Sequence, residues 1–190
     1  MRSVCVFCGA RGGAGAEYAE AARTFGALVA ARGLTLVTGG GALGLMGVVT
    51  DAALAGGAAV VGVIPGSLVE REVAHAKLSE LAVVSDMFER KREMMRRADA
   101  FVALPGGMGT LDEITEVLTW TQLGMFAKPC GLVNVNDYWS PLLEMLDRAV
   151  AQGFLAPEHR ALLQTDTDPA LLLDRLAQWK APSTFAGMRP

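Results

Sequence analysis

Ala100-Phe101-Val102-Ala103-Leu104-Pro105-Gly106-Gly107-Met108-Gly109-Thr110 passes from an unbroken apolar run into a glycine turn, and a helical apolar pattern follows over 111–123. Five apolar residues stopped by proline read as a strand covered on both faces. The same grammar recurs on either side. Residues 4–7 lead through Gly9 to Gly15 into a helix over 17–31. Residues 34–37 lead through Thr38-Gly39-Gly40-Gly41 into a small-residue helix over 44–54. Further strands are expected at 59–64, 81–84 and 131–135, and further helices at 86–97, 140–152 and 169–179.

Strands that alternate with helices and carry no polar face predict a parallel sheet with helices on both faces. Right-handed crossovers make that a doubly wound, Rossmann-like α/β fold. The 190 residues and the absence of a linker or repeat predict one domain over 1–180, with 181–190 a loose tail.

Composition narrows the function. With 17 Lys+Arg against 20 Asp+Glu the net charge is −3, which argues against a groove for long nucleic acid. Two histidines, His75 (near Glu72) and His159, and three cysteines are too few for a comfortable zinc site, so no metal is expected. Cys5 and Cys8 form a CxxC, but residues three apart on a strand face opposite ways, so a redox pair is not expected. Residues 33–50 and 52–69 are uncharged over 18 residues each. Six glycines in the first and Pro65 in the second make strand-turn-helix the better reading than a membrane span. The N-terminus shows no signal-peptide cleavage pattern, and a cytoplasmic location is expected.

Ligands of such folds bind at the carboxyl ends of strands. Three glycine clusters fall there, and each exposes amides that can hold an anion at a helix start, so a phosphorylated small molecule is the expected ligand. Gly40 and Gly41 in the second cluster, and Gly106, Gly107 and Gly109 in the third, are candidate contacts; tight helix–sheet packing is the other use of the second cluster. Its GxGxxG match follows the second strand, and the next strand ends Val63-Ile64-Pro65 without an acidic residue for a ribose diol, which argues against a dinucleotide.

Two further segments carry chemistry. Met87-Phe88-Glu89-Arg90-Lys91-Arg92 puts cations in the first turns of a helix, the end its dipole makes unfavourable for them. Asp86 and Glu89 as cap carboxylates offset part of this. Arg90 and Lys91, with Met87 beside them, are candidate site residues, and Arg92 is a surface residue. Thr110-Leu111-Asp112-Glu113 fits a capping box with Thr110 as N-cap and Glu113 reaching back. The same carboxylate would also lie beside a phosphate or ribose held by the preceding glycine loop.

The combination resembles the LONELY GUY (LOG) family of cytokinin riboside 5′-monophosphate phosphoribohydrolases, whose members often carry a lysine decarboxylase label. The resemblance covers residues 4 to about 155. It rests most on PGGxGTxxE, here Pro105 to Glu113, and on RKxxM, here Arg90 to Met94. Gly39 to Gly47, Val63-Ile64-Pro65 and Trp120 to Gly124 fit as well. The resemblance implies hydrolysis of the N-glycosidic bond between an N6-modified adenine and ribose 5-phosphate, with plain AMP a further candidate substrate. It implies Arg90 and Glu113 as the catalytic pair, and Lys91, Gly107, Met108, Gly109, Thr110, Leu111, Asp112 and Thr119 as substrate contacts. No metal or organic cofactor is implied, and the active site lies near the interface of a homodimer. The chain departs from the family pattern at Phe88, where His is usual, at Ala10, where Ser is common, and at Asp112, where Glu is common.

Two other classes compete. A carrier that holds a phosphorylated ligand without cleaving it shares the same loops. A decarboxylase would need pyridoxal phosphate on a lysine, and of Lys77, Lys91, Lys128 and Lys180 only Lys91 falls in a candidate site.

Overall fold

The computed structural model describes residues 1–69 and 74–181. Glu72 lies outside them, as does the expected loose tail beyond Ala181. The order is β1 Ser3–Phe7, α1 Ala16–Ala31, β2 Thr35–Thr38, α2 Gly44–Ala55, β3 Val60–Pro65, β4 Glu80–Val84, α3 Met87–Arg97, β5 Ala100–Ala103, α4 Met108–Gln122, β6 Cys130–Val133, α5 Ser140–Ala151, α6 Pro157–Arg160, β7 Leu163–Asp166 and α7 Pro169–Gln178. The seven strands form one sheet in the order β4-β3-β2-β1-β5-β6-β7. Every neighbouring pair is parallel.

The period-2 alternation of strands explains the two cores. From β1 and the residue after it, Val4, Val6 and Cys8 join α1, α2 and α7 on one face, where Phe25, Val49 and Leu172 are fully buried. Cys5 and Phe7 join α3 and α4 on the other, with Met94, Ile114 and Val117. Phe7 stacks on Phe101 of the adjacent β5 at 6.1 Å. Cys5 and Cys8 thus belong to opposite faces, as their spacing required, and all three cysteines are free thiols.

Two elements were not read from the sequence. β7, Leu-Gln-Thr-Asp, is a polar edge strand with only Leu163 buried, so it lacks the apolar run that marks the others. The four-residue α6 is too short for periodicity. One boundary is corrected: α4 begins at Met108, not Leu111. Its N-cap is Gly107, so Thr110 lies inside the first turn, buried, and the capping box does not form. No helix among the described residues is long and apolar enough to cross a membrane.

The chain runs outward from β1 to β4, then returns to place β5 on the other side of β1. The carboxyl ends of β1 and β5 therefore flank a topological switch point, where the connecting loops diverge and leave a crevice.

Candidate active site

A cleft of about 510 Å³ opens at that switch point. Its floor is the loop after β1, Cys8 to Arg11, and the β5–α4 loop from Pro105 to Gly107. Its sides come from the starts of α1, α2, α3 and α4.

Arg90 enters from α3. Asp86 caps that helix by accepting from the amides of Phe88 and Glu89 at 2.8 and 2.9 Å. The bond to the Glu89 amide, with that to Phe88 and the Ser85 hydroxyl, holds the Asp86 carboxyl below its ordinary pKa. Arg90 is only 4% exposed, and its Nη2 donates to the Gly39 carbonyl at 3.2 Å. A Cβ on Gly39 would lie 2.0 Å from that Nη2, so glycine here is a condition of Arg90's placement. The glycine run at the end of β2 thus has a use that the candidates Gly40 and Gly41 missed by one position.

Glu113 enters from the second turn of α4, half-buried, and lines the same cleft as Arg90. With the helix starting at Met108, Glu113 is too far along to cap it. Its carboxylate lies close enough to Cys8 to reinforce what burial does, pushing that thiol well above its ordinary pKa.

The β5–α4 loop is drawn tight against β1. Gly9 donates to the Pro105 carbonyl at 3.0 Å, and a Cβ on Gly106 would meet Thr110 Oγ1 at 2.1 Å and the Gly9 nitrogen at 2.8 Å. Gly107 caps α4 without any side-chain hydrogen bond, and the Leu111 amide donates to its carbonyl at 3.1 Å. The preceding amides, with the helix dipole behind them, are suited to an anion.

The candidate residues divide. Arg90, Glu113, Met87, Gly106, Gly107, Gly109, Thr110 and Asp112 line the cleft. Met108, at the first position of α4, is 81% exposed, and Leu111 packs against the α3–α4 core. Lys91 Nζ sits between Asp112 at 3.1 Å and Glu116 at 2.9 Å, outside the lining. Burial alone would lower its pKa, but the hydrogen bonds to Glu116 and Asp112 raise it. Thr119 donates to the Thr115 carbonyl at 2.8 Å and faces a separate groove between α4, α5 and α6. Gly40 and Gly41 lie behind the cleft: the Gly40 carbonyl accepts from the His75 amide, and Gly41 bridges Ala74. His75 itself is buried, with Nε2 3.1 Å from Asp51. Tyr18, Tyr138 and Arg11 line the cleft and were not singled out from the sequence. The signal for Tyr138 was the Asn136-Asp137 pair before it, two residues that tolerate left-handed backbone.

Among the described residues no lysine lines the cleft, and no group of three His, Cys, Asp or Glu side chains is placed to hold a metal. Lys128 is occupied elsewhere, donating to the Met95 carbonyl at 2.7 Å over the rings of Phe101 and Phe126.

Fold and cleft define a Rossmann-like protein with a cleft at the switch point, lined by the guanidinium groups of Arg11 and Arg90 and the carboxylates of Asp112 and Glu113. Residues 46–176 match the family described as "Possible lysine decarboxylase". The chain is 50% identical over 163 residues to the cytokinin riboside 5′-monophosphate phosphoribohydrolase LOG of Oryza sativa subsp. japonica, covering 86% of this chain and 67% of that one. It is 45% identical over 180 residues to the phosphoribohydrolase LOG7 of Arabidopsis thaliana, covering 95% and 83%. The chain belongs to this LOG family. Among solved structures, the Moco carrier protein of Chlamydomonas reinhardtii superposes with a TM-score of 0.70 at 20% identity, covering 93% of this chain and 96% of that one. The molybdenum cofactor binding protein of Rippkaea orientalis does so at 0.70 and 18%, covering 94% and 97%. At that identity the likeness is one of fold.

Proposed function

We propose that this protein is a phosphoribohydrolase: it hydrolyses the N-glycosidic bond of cytokinin riboside 5′-monophosphates, releasing the N6-substituted adenine and ribose 5-phosphate. The observation that carries the reading is the convergence of Arg90 and Glu113 on one cleft beside the open amides of α4. The names of relatives at 45–50% identity support it.

The chemistry follows from charge. As the ribose–base bond breaks, the base takes the bonding electrons and the anomeric carbon gains oxocarbenium character. Glu113 stabilises that positive charge and receives a proton from the water whose oxygen bonds to the anomeric carbon. Overall, water delivers hydroxide to the sugar and a proton to the base. The amides at the start of α4 hold the 5′-phosphate, and Arg90, with its fixed charge and planar fork, holds the nucleotide over Glu113. Gly106, Gly107, Gly109, Thr110, Asp112 and Met87 line the site around it. Met108, Lys91 and Thr119 act from its periphery or, in a homodimer, on the partner's site, while Leu111, Gly40 and Gly41 support it from behind. The reaction needs no organic cofactor or metal, and the enzyme works in the cytoplasm.

The test is a substrate panel. Purified protein is incubated with isopentenyladenosine 5′-monophosphate, AMP and the unphosphorylated riboside, and free base is measured by chromatography. Free base from the monophosphate and little from the riboside is expected. Tight nucleotide binding with no base released would support a carrier instead.

A further inference from the structure

The connection after β6 holds the only two non-glycine residues with positive φ among the described residues: Asn136 at 47° and Asp137 at 56°. Even for Asn and Asp, two successive left-handed residues are uncommon, and other contacts hold the pair in place. Those contacts are present. Asn134 Oδ1 accepts from the Trp139 amide at 2.7 Å. Ser140 Oγ links Asn134 and Asp137 at 3.2 Å each. Asn136 Nδ2 donates to Glu17 of α1 at 2.8 Å. What the strained turn presents is Tyr138. Its ring lies edge-on to Tyr18 at 6.0 Å and to Trp139 at 5.0 Å, and its hydroxyl donates to the Gly106 carbonyl. Both tyrosines line the cleft.

In a trans peptide the carbonyl and the following N–H point in opposite directions. A hydrogen bond that fixes the Gly106 carbonyl therefore also fixes the direction of the Gly107 N–H, at the N-cap of α4. Gly106 has little intrinsic preference for one orientation, since its conformational freedom is the largest of any residue. We propose that Tyr138 is a positioning residue: from the strained turn after β6, it locks the Gly106–Gly107 peptide so that the Gly107 amide faces the 5′-phosphate of the bound nucleotide. This rests on the phosphoribohydrolase reading for the identity of the ligand. Tyr138 is 40% exposed, and its hydroxyl is spent on the loop rather than on a buried core group.

The test uses the full chain with Tyr138→Phe, which keeps the ring and removes the hydroxyl. Ribose 5-phosphate and free N6-isopentenyladenine are titrated separately by calorimetry, and KM and kcat are measured with the monophosphate. Loss of one hydrogen bond predicts about three- to tenfold weaker ribose 5-phosphate binding and a matching rise in KM. Base affinity and melting temperature should be nearly unchanged. Unchanged ribose 5-phosphate affinity overturns the proposal. So does equal weakening of both ligands with a large fall in melting temperature, which would make Tyr138 merely structural. If wild-type protein binds ribose 5-phosphate but cleaves no nucleotide, the hydrolase reading fails, and the two affinities still decide the role of Tyr138.

Discussion

Replacing Gly39 by alanine would add one methyl group 2.0 Å from Arg90 Nη2 and 3.2 Å from the Met46 methyl. Gly39 does not have positive φ, so alanine meets no backbone penalty there, and the conflict is with side-chain ends. The guanidinium must leave the Gly39 carbonyl and swing into the adjoining cleft. A charge-assisted hydrogen bond is worth about 1.5–3 kcal/mol, and re-solvation in the open cleft recovers part of it. A net loss of about 1 kcal/mol corresponds to about 2–4 °C in melting temperature for a chain of this length. Activity should suffer far more, because misplacing a reacting group by about 1 Å costs on the order of a hundredfold in rate. Thermal melting and initial rates of base release are the assays. Gly39→Ala with wild-type kcat/KM would refute the claim that Arg90 acts from this position. A collapse in melting temperature that accounts for the lost activity would show Arg90 to be a core ion rather than a reacting group.

Three other outcomes are expected. Glu113→Gln should abolish most turnover, because the neutral amide can neither stabilise the developing positive charge nor take the proton of water; normal cleavage would remove it from the mechanism. Hydrogen bonds from Arg96 hold the Glu93 carboxyl at about 2, against burial that would raise it and with help from Arg97. Its contribution is therefore complete above the unfolded value near 4.5 and lost as pH falls from there toward 2. With Arg96 67% exposed, solvent screening limits the effect to about 1 kcal/mol, so Glu93→Gln should lower stability at neutral pH and flatten the acid limb of the melting curve. Burial pushes Cys130 up to about 12 and raises Cys5 and Cys8 well above their ordinary value. Thiol reagents at pH 8 should label none of the three until the protein unfolds, and rapid labelling of the native protein would contradict the packing around β1 and β6.

The sheet was legible because most of its strands are covered on both faces and are written in unbroken apolar residues, as in 100–104. β7 was not, because an edge strand can carry Gln164, Thr165 and Asp166. Arg90 stood out as a cation at the wrong end of a helix, and the structure shows what that placement serves: a buried guanidinium on the Gly39 carbonyl. The role assigned to Thr110 failed for a local reason. Glycine is poor inside helices, so the sequence predicts a helix that begins after Gly109. The first turn of α4 carries Gly109 nonetheless, where a Cβ would meet nothing within 4 Å, and the close approach to the end of β1 is made by Gly106 in the loop before it. Tyr18 and Tyr138 could not be paired from sequence, since 119 residues separate their neighbours Glu17 and Asn136, and only the switch in strand order brings them together. Lys91 matched a motif, yet its ammonium is engaged by Asp112 and Glu116 from the facing helix.

Cleavage turns on water attacking the anomeric carbon beside Glu113. Turnover of isopentenyladenosine 5′-monophosphate in heavy-oxygen water, quenched early with borohydride so that the freed sugar cannot exchange its C1 oxygen with solvent, and followed by mass spectrometry of both products, measures this directly. One heavy oxygen on the sugar carbon of ribose 5-phosphate, none in the released base, and little turnover in Glu113→Gln are the predicted results. Heavy oxygen appearing in phosphate with the riboside left intact, or no cleavage at all by the wild-type protein, would contradict it.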